Sequence, residues 1–170
     1  MHLLGLTASA LVCGGQVAVP SAVLGVDPGV KGGLVVLHHG GKPHSIVTFQ
    51  PNMEEREVAA AVKQAAKSLI SLGSHRCFFE KVGYMPHDGG KGAFTFGAIN
   101  GLLKGVLLAC DIEITYVTPM LWQAEMECLS GGNKNVTKLR AQQLFPGERI
   151  THGNADALLI AEYGRRRLAR

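Results

Sequence analysis

Short apolar runs bounded by glycine and polar residues dominate the first part of the chain. These runs predict strands over residues 23–27, 32–37 and 44–49. Pro28 and Gly29 end the first run, and the glycine-containing stretch 39–43 is typical of a turn. Three strands joined by such short links predict an antiparallel meander.

Apolar positions at helical spacing follow over residues 54–72 and predict a long helix. Glu54, Glu55 and Glu57 lie at its start, where the helix dipole favours negative charge, and Gly73 ends it. Beyond Gly73 the pattern predicts strands over 76–82 and 113–117, and helices over 94–110, 118–127, 136–145 and after residue 153. This order of elements predicts an α/β domain.

The composition limits the class of protein. With 170 residues, 46% hydrophobic and 18% charged, the chain is long and apolar enough to form one globular domain. We assign residues 22–170 to that domain and interpret residues 1–21 as a flexible leader or the remnant of a processed leader. The net charge of +4 and the pI of about 9.0 favour a polyanionic partner without requiring nucleic acid.

Two further features disfavour a zinc-stabilised or membrane protein. The four cysteines have no close pairing such as CxxC, which argues against structural zinc and indicates reduced thiols. No uninterrupted apolar run reaches the ~18 residues that a membrane span needs, so we expect no membrane partner.

Three acidic residues lie in segments that otherwise predict buried elements. Asp27 ends the first strand, Glu80 lies in the fourth, and Asp156 lies in an apolar helical run. Each has an ordinary explanation on its own, as a turn aspartate, the partner of a neighbouring cation, or a first-turn helix acid. Together they indicate one shared cation, because an uncompensated buried charge is costly. Mg²⁺ prefers such carboxylate oxygens.

Four motifs resemble those of RuvC-type Holliday junction resolvases, which belong to the RNase H-like superfamily. They are Gly-Val-Asp-Pro-Gly-Val-Lys-Gly-Gly at 25–33, Phe-Glu-Lys-Val at 79–82, Tyr-Val-Thr-Pro-Met-Leu-Trp at 116–122 and His-Gly-Asn-Ala-Asp-Ala-Leu-Leu-Ile-Ala at 152–161. With the helix at 94–105, the resemblance covers residues 23–166. His152 stands where the commonest bacterial pattern has an acid. Here the chain most resembles the chloroplast resolvases of plants and algae, and it also resembles some bacterial and phage relatives.

The resemblance implies an RNase H-like fold with a five-stranded mixed sheet, three antiparallel strands and then parallel ones, flanked by helices. It implies a Mg²⁺-dependent crossover junction endodeoxyribonuclease that nicks four-way DNA junctions symmetrically and leaves 5′-phosphate and 3′-hydroxyl ends. Asp27, Glu80, His152 and Asp156 match its catalytic and metal-binding positions, which would hold two Mg²⁺ ions, with Mn²⁺ as a substitute. The role of His152 stays open between metal ligand, water-orienting group and helper of the departing oxygen. If residues 152–156 are helical, His152 and Asp156 share a face.

Contacts to DNA are expected from basic side chains and one aromatic side chain. The candidates are Lys81, Tyr84, Lys91, Lys134, Lys138 and Arg140. Tyr84, in the loop at 83–92, is expected either to stack on an exposed base or to pack beneath the loop.

A homodimer is expected because symmetric cutting of two strands needs two sites related by a dyad. The helix at 94–110 carries small residues and is the candidate interface, whereas Phe94, Phe96, Trp122 and Met126 are assigned to the core. The resemblance favours the chloroplast nucleoid as the location, with bacterial or phage-infected cytoplasm as the alternative, and leaves a C-C step open as the preferred cut site.

Three other functions remain open from the residues. One is an RNase H-like nuclease acting on RNA or ordinary duplex, another is an actin- or sugar-kinase-like ATPase, and the third is a non-catalytic junction-binding module. Asp27-x-Gly29 followed by a glycine-rich hairpin resembles the phosphate loop of such ATPases, but those folds need two domains. Cleavage, nucleotide-binding and metal-dependence assays distinguish these functions.

Overall fold

The computed structural model describes residues 20–83 and 89–170. The strands are β1 Ala22–Asp27, β2 Gly33–His38, β3 Pro43–Thr48, β4 Arg76–Glu80 and β5 Glu113–Val117. The helices are α1 Glu55–Ser71, α2 Gly90–Ala109, α3 Pro119–Glu125, α4 Lys134–Leu144 and α5 Ala155–Leu168. The elements occur in the predicted order. The predicted leader lies almost wholly in residues 1–19, outside the described part, so that interpretation stays a prediction.

The five strands form one mixed sheet in the order β3-β2-β1-β4-β5. β2 pairs antiparallel with β1 and β3, whereas β4 pairs parallel with β1 and β5. This confirms the predicted sheet. β1 is central and buried along its whole length, which explains why its sequence is a continuous apolar run rather than an alternating one.

Helices cover both faces of the sheet. Because successive strand residues point to opposite faces, Val23 and Phe78 enter a core with α5, whereas Leu24 and Phe79 enter a second core with α1 and α2. The two buried clusters make an α/β architecture with helices on both sides of one sheet.

Two glycines allow α5 to lie unusually close to the sheet. A Cβ atom at Gly25 of β1 would collide with the backbone of Ala157 and Ala161, and one at Gly164 would collide with the ring of Phe78. The absence of side chains at these positions brings the start of α5 beside the end of β1. Asp156 and Asp27 are therefore held on two elements in direct contact.

The second helix differs most from its prediction. It begins at Gly90, four residues before the predicted start. The predicted start was later because the glycines in this segment have low helix propensity and favour a loop. The assignment of Phe94 to the core is wrong, since this side chain is 80% exposed. Nearly every turn of α2 is apolar, so the sequence gives no contrast from which to choose a buried face.

The length and composition of α2 also meet the requirements of a membrane span. Its 18-residue window has a mean hydropathy of 1.4. The helix contains no long uninterrupted apolar run, because Lys91, Thr95, Asn100 and Lys104 break up the sequence. One such helix is weak evidence for a membrane protein, and α2 packs against α1 and β5.

Cys77 and Cys128 are buried free thiols, and Cys110 is a half-buried one. The expectation of reduced thiols stays a prediction. Cys13 lies outside the described residues.

Candidate functional site

Asp27 is the last residue of the central strand, and the turn after it folds back over its carboxylate. The Gly29 N–H donates to Asp27 Oδ1 at 3.0 Å, and a Cβ atom at Gly32 would lie 2.9 Å from Asp27 Cγ. The side chain is buried, at 6% exposed. Burial, reinforced by the neighbouring charge of Asp156, raises the pKa of Asp27 to about 6 despite the Gly29 hydrogen bond.

Glu80 ends β4, the parallel neighbour of β1, and is buried as predicted. Its Oε1 accepts a hydrogen bond of 2.9 Å from the indole Nε1–H of Trp122. Burial first, and then the charges of Asp27 and Asp156, raise the pKa of Glu80 to about 7; the Trp122 hydrogen bond opposes this rise.

Asp156 lies in the first turn of α5 and supplies the third carboxylate. Its Oδ2 is 3.9 Å from Lys134 Nζ, which is itself well exposed. Its Oδ1 is buried and has no hydrogen-bond partner among the described residues. A buried carboxylate oxygen without a donor is the group that a bound cation satisfies.

The three carboxylates converge on one end of the sheet and interact electrostatically. Burial and the charges of neighbouring carboxylates raise the pKa values of Asp27 and Glu80, as expected for a cluster that a divalent cation would neutralise. Within 20–83 and 89–170, however, no three His, Cys, Asp or Glu side chains meet closely enough to form a ready-made ligand group. The donor chemistry therefore fits a hard cation such as Mg²⁺, and the ligand assignment of Asp27, Glu80 and Asp156 stays a prediction.

His152 does not share a helical face with Asp156, because α5 begins only at Ala155. It is exposed in the turn before the helix. Asn154 shapes this turn by accepting from the Thr151 N–H at 2.8 Å and donating to the Arg149 carbonyl at 3.1 Å. The catalytic and ligand assignments of His152 stay predictions.

A basic groove of about 700 Å³ adjoins the turn that follows Asp27. It is lined by Lys31, Thr48, Phe49, Gln50, Pro51, Arg149, Thr151, His152, Gly153 and Asn154. This lining includes no acidic residue. A Cβ atom at Gly153 would lie 2.7 Å from the Lys31 carbonyl oxygen, so the turn after Asp27 and the turn before α5 form one surface.

Lys31 and Arg149 were not among the predicted DNA contacts. The available signal was the position of Lys31, a cation four residues after the predicted catalytic aspartate. Arg149 becomes notable only when the fold brings the loop before α5 against the turn that contains Lys31.

The six predicted DNA contacts have different surroundings. Lys81 and Lys91 are exposed, Lys134 lies beside Asp156, and Lys138 is half-buried. Tyr84 falls within 84–88, outside the described residues.

Arg140 has partners within the protein. Its Nε donates to the Met126 carbonyl at 2.7 Å, and one terminal nitrogen lies 2.5 Å from Glu127. These bonds hold the end of α3 against α4, a structural role that the sequence did not indicate. DNA contact by Arg140 and the other five stays a prediction.

Comparison with known proteins shows the fold. A structure of Thermus thermophilus RuvC matches with a TM-score of 0.59 and 18% identity, covering 84% of this chain and 92% of that one. A second structure, T. thermophilus RuvC in complex with Holliday junction substrate, matches with the same score and identity and is covered to 90%. No family model matches the chain. No curated protein matches it either.

Proposed function

We propose that this chain is a divalent-metal-dependent endonuclease that resolves four-way DNA junctions. The observation that carries the proposal is the convergence of Asp27, Glu80 and Asp156 at one end of a sheet with the RuvC fold. We infer the substrate by analogy with the T. thermophilus protein, whose structure was determined in complex with Holliday junction substrate.

The three carboxylates would hold Mg²⁺, and Mn²⁺ would substitute for it. When bound, such ions activate water and stabilise the departing oxygen of a phosphodiester. Asp27 and Glu80 contribute by binding protons when no cation is present and releasing them when a cation takes their place, so metal affinity should increase with pH. His152 is proposed to act from the groove side, and His152→Ala should slow cleavage without unfolding the protein.

Basic side chains on both sides of the carboxylate end support a polyanionic substrate. Lys134 lies beside Asp156, whereas Lys31 and Arg149 line the groove that contains His152. Neither Lys31 nor Arg149 forms a salt bridge with a carboxylate of 20–83 or 89–170, so both charges are available to phosphates. Such contacts set affinity and position rather than sequence preference.

A homodimer is part of the proposal because junction resolution requires two coordinated cuts. The exposed apolar side chains of α2 and the adjacent edge strand support an interface there. They include Phe94 at 80%, Leu108 at 60% and Tyr116 at 48% exposure. Large exposed apolar side chains on one helix and its neighbouring strand favour a protein contact.

The test is a gel assay with a synthetic mobile four-way junction, in Mg²⁺ or EDTA, beside linear duplex and single-strand controls. We expect paired symmetric nicks on the junction alone and only with Mg²⁺. The 5′-phosphate and 3′-hydroxyl products should be religated by DNA ligase. Cleavage of linear DNA as well would assign a general RNase H-like nuclease, and tight binding without cleavage would assign a junction-binding module.

The cellular location is proposed from the sequence resemblance alone as the chloroplast nucleoid. Detection of the protein only in bacterial or phage-infected cytoplasm would replace this assignment.

A further inference from the structure

Trp122 joins the hydrophobic core to the carboxylate cluster. Its side chain is fully buried, as its predicted place in the core requires. Its indole Nε1–H nevertheless donates to Glu80 Oε1 at 2.9 Å. Because an indole has one donor and no acceptor, this contact fixes which group donates and which accepts.

The indole is held by elements that are themselves fixed beside Glu80. Val117, the last residue of β5, is paired with Glu80, and its carbonyl accepts from the Lys81 N–H at 2.7 Å. α3 begins two residues later at Pro119, and its first turn carries Trp122 into the core beneath the sheet. The position of the donor therefore follows from the β4–β5 pairing.

Glu80 needs such a partner because a glutamate side chain has several rotatable bonds and loses entropy when it is fixed. The indole is the hydrogen-bond partner found for this carboxylate among the described residues. It engages Oε1 and leaves Oε2 for another group. Partners of this kind orient metal-binding carboxylates, and their loss typically lowers metal affinity by about 10- to 100-fold.

We propose that Trp122 is a positioning residue that orients Glu80 for divalent-cation binding, so that the fluorescence of this residue reports occupancy of the site. The inference rests on the cation site of the proposed function. The sequence contains one tryptophan, so the emission has a single source.

The first test compares Mn²⁺ affinity of the full chain and Trp122→Phe by isothermal titration calorimetry in the absence of DNA. Phenylalanine retains an aromatic ring in the core but has no N–H. We expect the dissociation constant for Mn²⁺ to rise about tenfold or more, with an unchanged far-ultraviolet circular dichroism spectrum. Equal affinities would overturn the positioning role.

A pair of tryptophan analogues separates hydrogen bonding from packing if Trp122→Phe folds poorly. Benzothienylalanine at position 122 replaces the indole N–H by sulfur with nearly the same shape, whereas 5-fluorotryptophan retains the N–H. We expect weakened Mn²⁺ binding only for the benzothienyl protein. The same affinity in both proteins would assign Trp122 a packing role alone.

The reporter is tested by titrating Mg²⁺ while recording tryptophan emission. We expect a saturable change in the wild-type chain and none in Glu80→Gln. If tryptophan emission stays constant over the Mg²⁺ concentrations at which calorimetry detects binding, Trp122 fluorescence does not report occupancy of the site. If the wild-type chain binds neither Mg²⁺ nor Mn²⁺, the cation site of the proposed function is refuted. If the wild-type chain and Trp122→Phe bind metal equally well, the cation site stands and only the role of Trp122 is refuted.

Discussion

Glu80→Gln is expected to stabilise the metal-free protein at alkaline pH. The substitution removes a buried charge but retains an amide oxygen that can accept from Trp122. In the wild-type protein the pKa of Glu80 is raised from 4.5 to about 7, chiefly by burial and then by Asp27 and Asp156. Ionising Glu80 therefore costs the folded state more than the unfolded state.

The sign and size of the effect follow from proton linkage. Between pH 4.5 and about 7, Glu80 is protonated in a larger fraction of folded molecules than of unfolded molecules. The resulting stability is fully present below pH 4.5 and is lost as the pH rises through 7. At about 1.4 kcal/mol per pKa unit, the loss reaches roughly 3 kcal/mol at pH 8. Asp27 raises the pKa of Glu80, so the shifts of these two groups do not simply add.

Thermal denaturation in EDTA at pH 5 and pH 8 measures this effect. We expect the melting temperature of Glu80→Gln to exceed that of the wild type at pH 8 by about 5–10 °C, and by much less at pH 5. Glu113→Gln is the matched control, because Glu113 forms an exposed pair with Arg76, and such pairs contribute little. Mg²⁺ at pH 8 should stabilise the wild type more than Glu80→Gln.

A pH-independent difference between Glu80→Gln and the wild type would refute this reasoning. So would a variant that is less stable than the wild type at pH 8, since that result would mean that the ionised carboxylate stabilises the metal-free fold.

Three further outcomes are expected. Asp27→Asn should abolish junction cleavage in the gel assay while junction affinity in EDTA stays within about twofold, since phosphate contacts carry binding; normal cleavage would remove Asp27 from the metal site. Replacing Lys31 and Arg149 together by glutamine should weaken junction binding and lower the slope of log affinity against log salt by about 2, whereas Lys63→Gln on exposed α1 should change neither. Leu108→Asp on exposed α2 should convert a dimer to a monomer in light scattering, and a dimer of unchanged affinity would place the interface elsewhere.

The sheet and its buried acids were predictable because their signals are local. Glycine and proline residues separate the apolar runs, and Asp27 and Glu80 are charged residues at the ends of such runs. Their burial is confirmed at 6% and 9% exposure. The RuvC fold likewise follows from the order of elements, which local patterns reveal.

Other features depend on packing between distant segments. The sequence presents Trp122 only as an apolar aromatic residue, and its hydrogen bond to Glu80 depends on how β5 leads into α3. The position of His152 depends on where α5 begins, which Asn154 determines through bonds to Thr151 and Arg149. The exposure of Phe94 could not be inferred, because an almost uniformly apolar helix gives no indication of which face is buried.

The close packing of α5 on β1 has a consequence for protein synthesis. β1 is the first described strand and α5 the last helix, so β1 to β4 leave the ribosome well before the element that covers one face of their sheet. During that interval Val23 and Phe78 lack their cover and are available to a chaperone or to aggregation. Because Asp156 arrives on α5, each nascent chain that ends before this helix lacks one of the three carboxylates. A nascent chain that ends before α5 therefore cannot complete the proposed cation site.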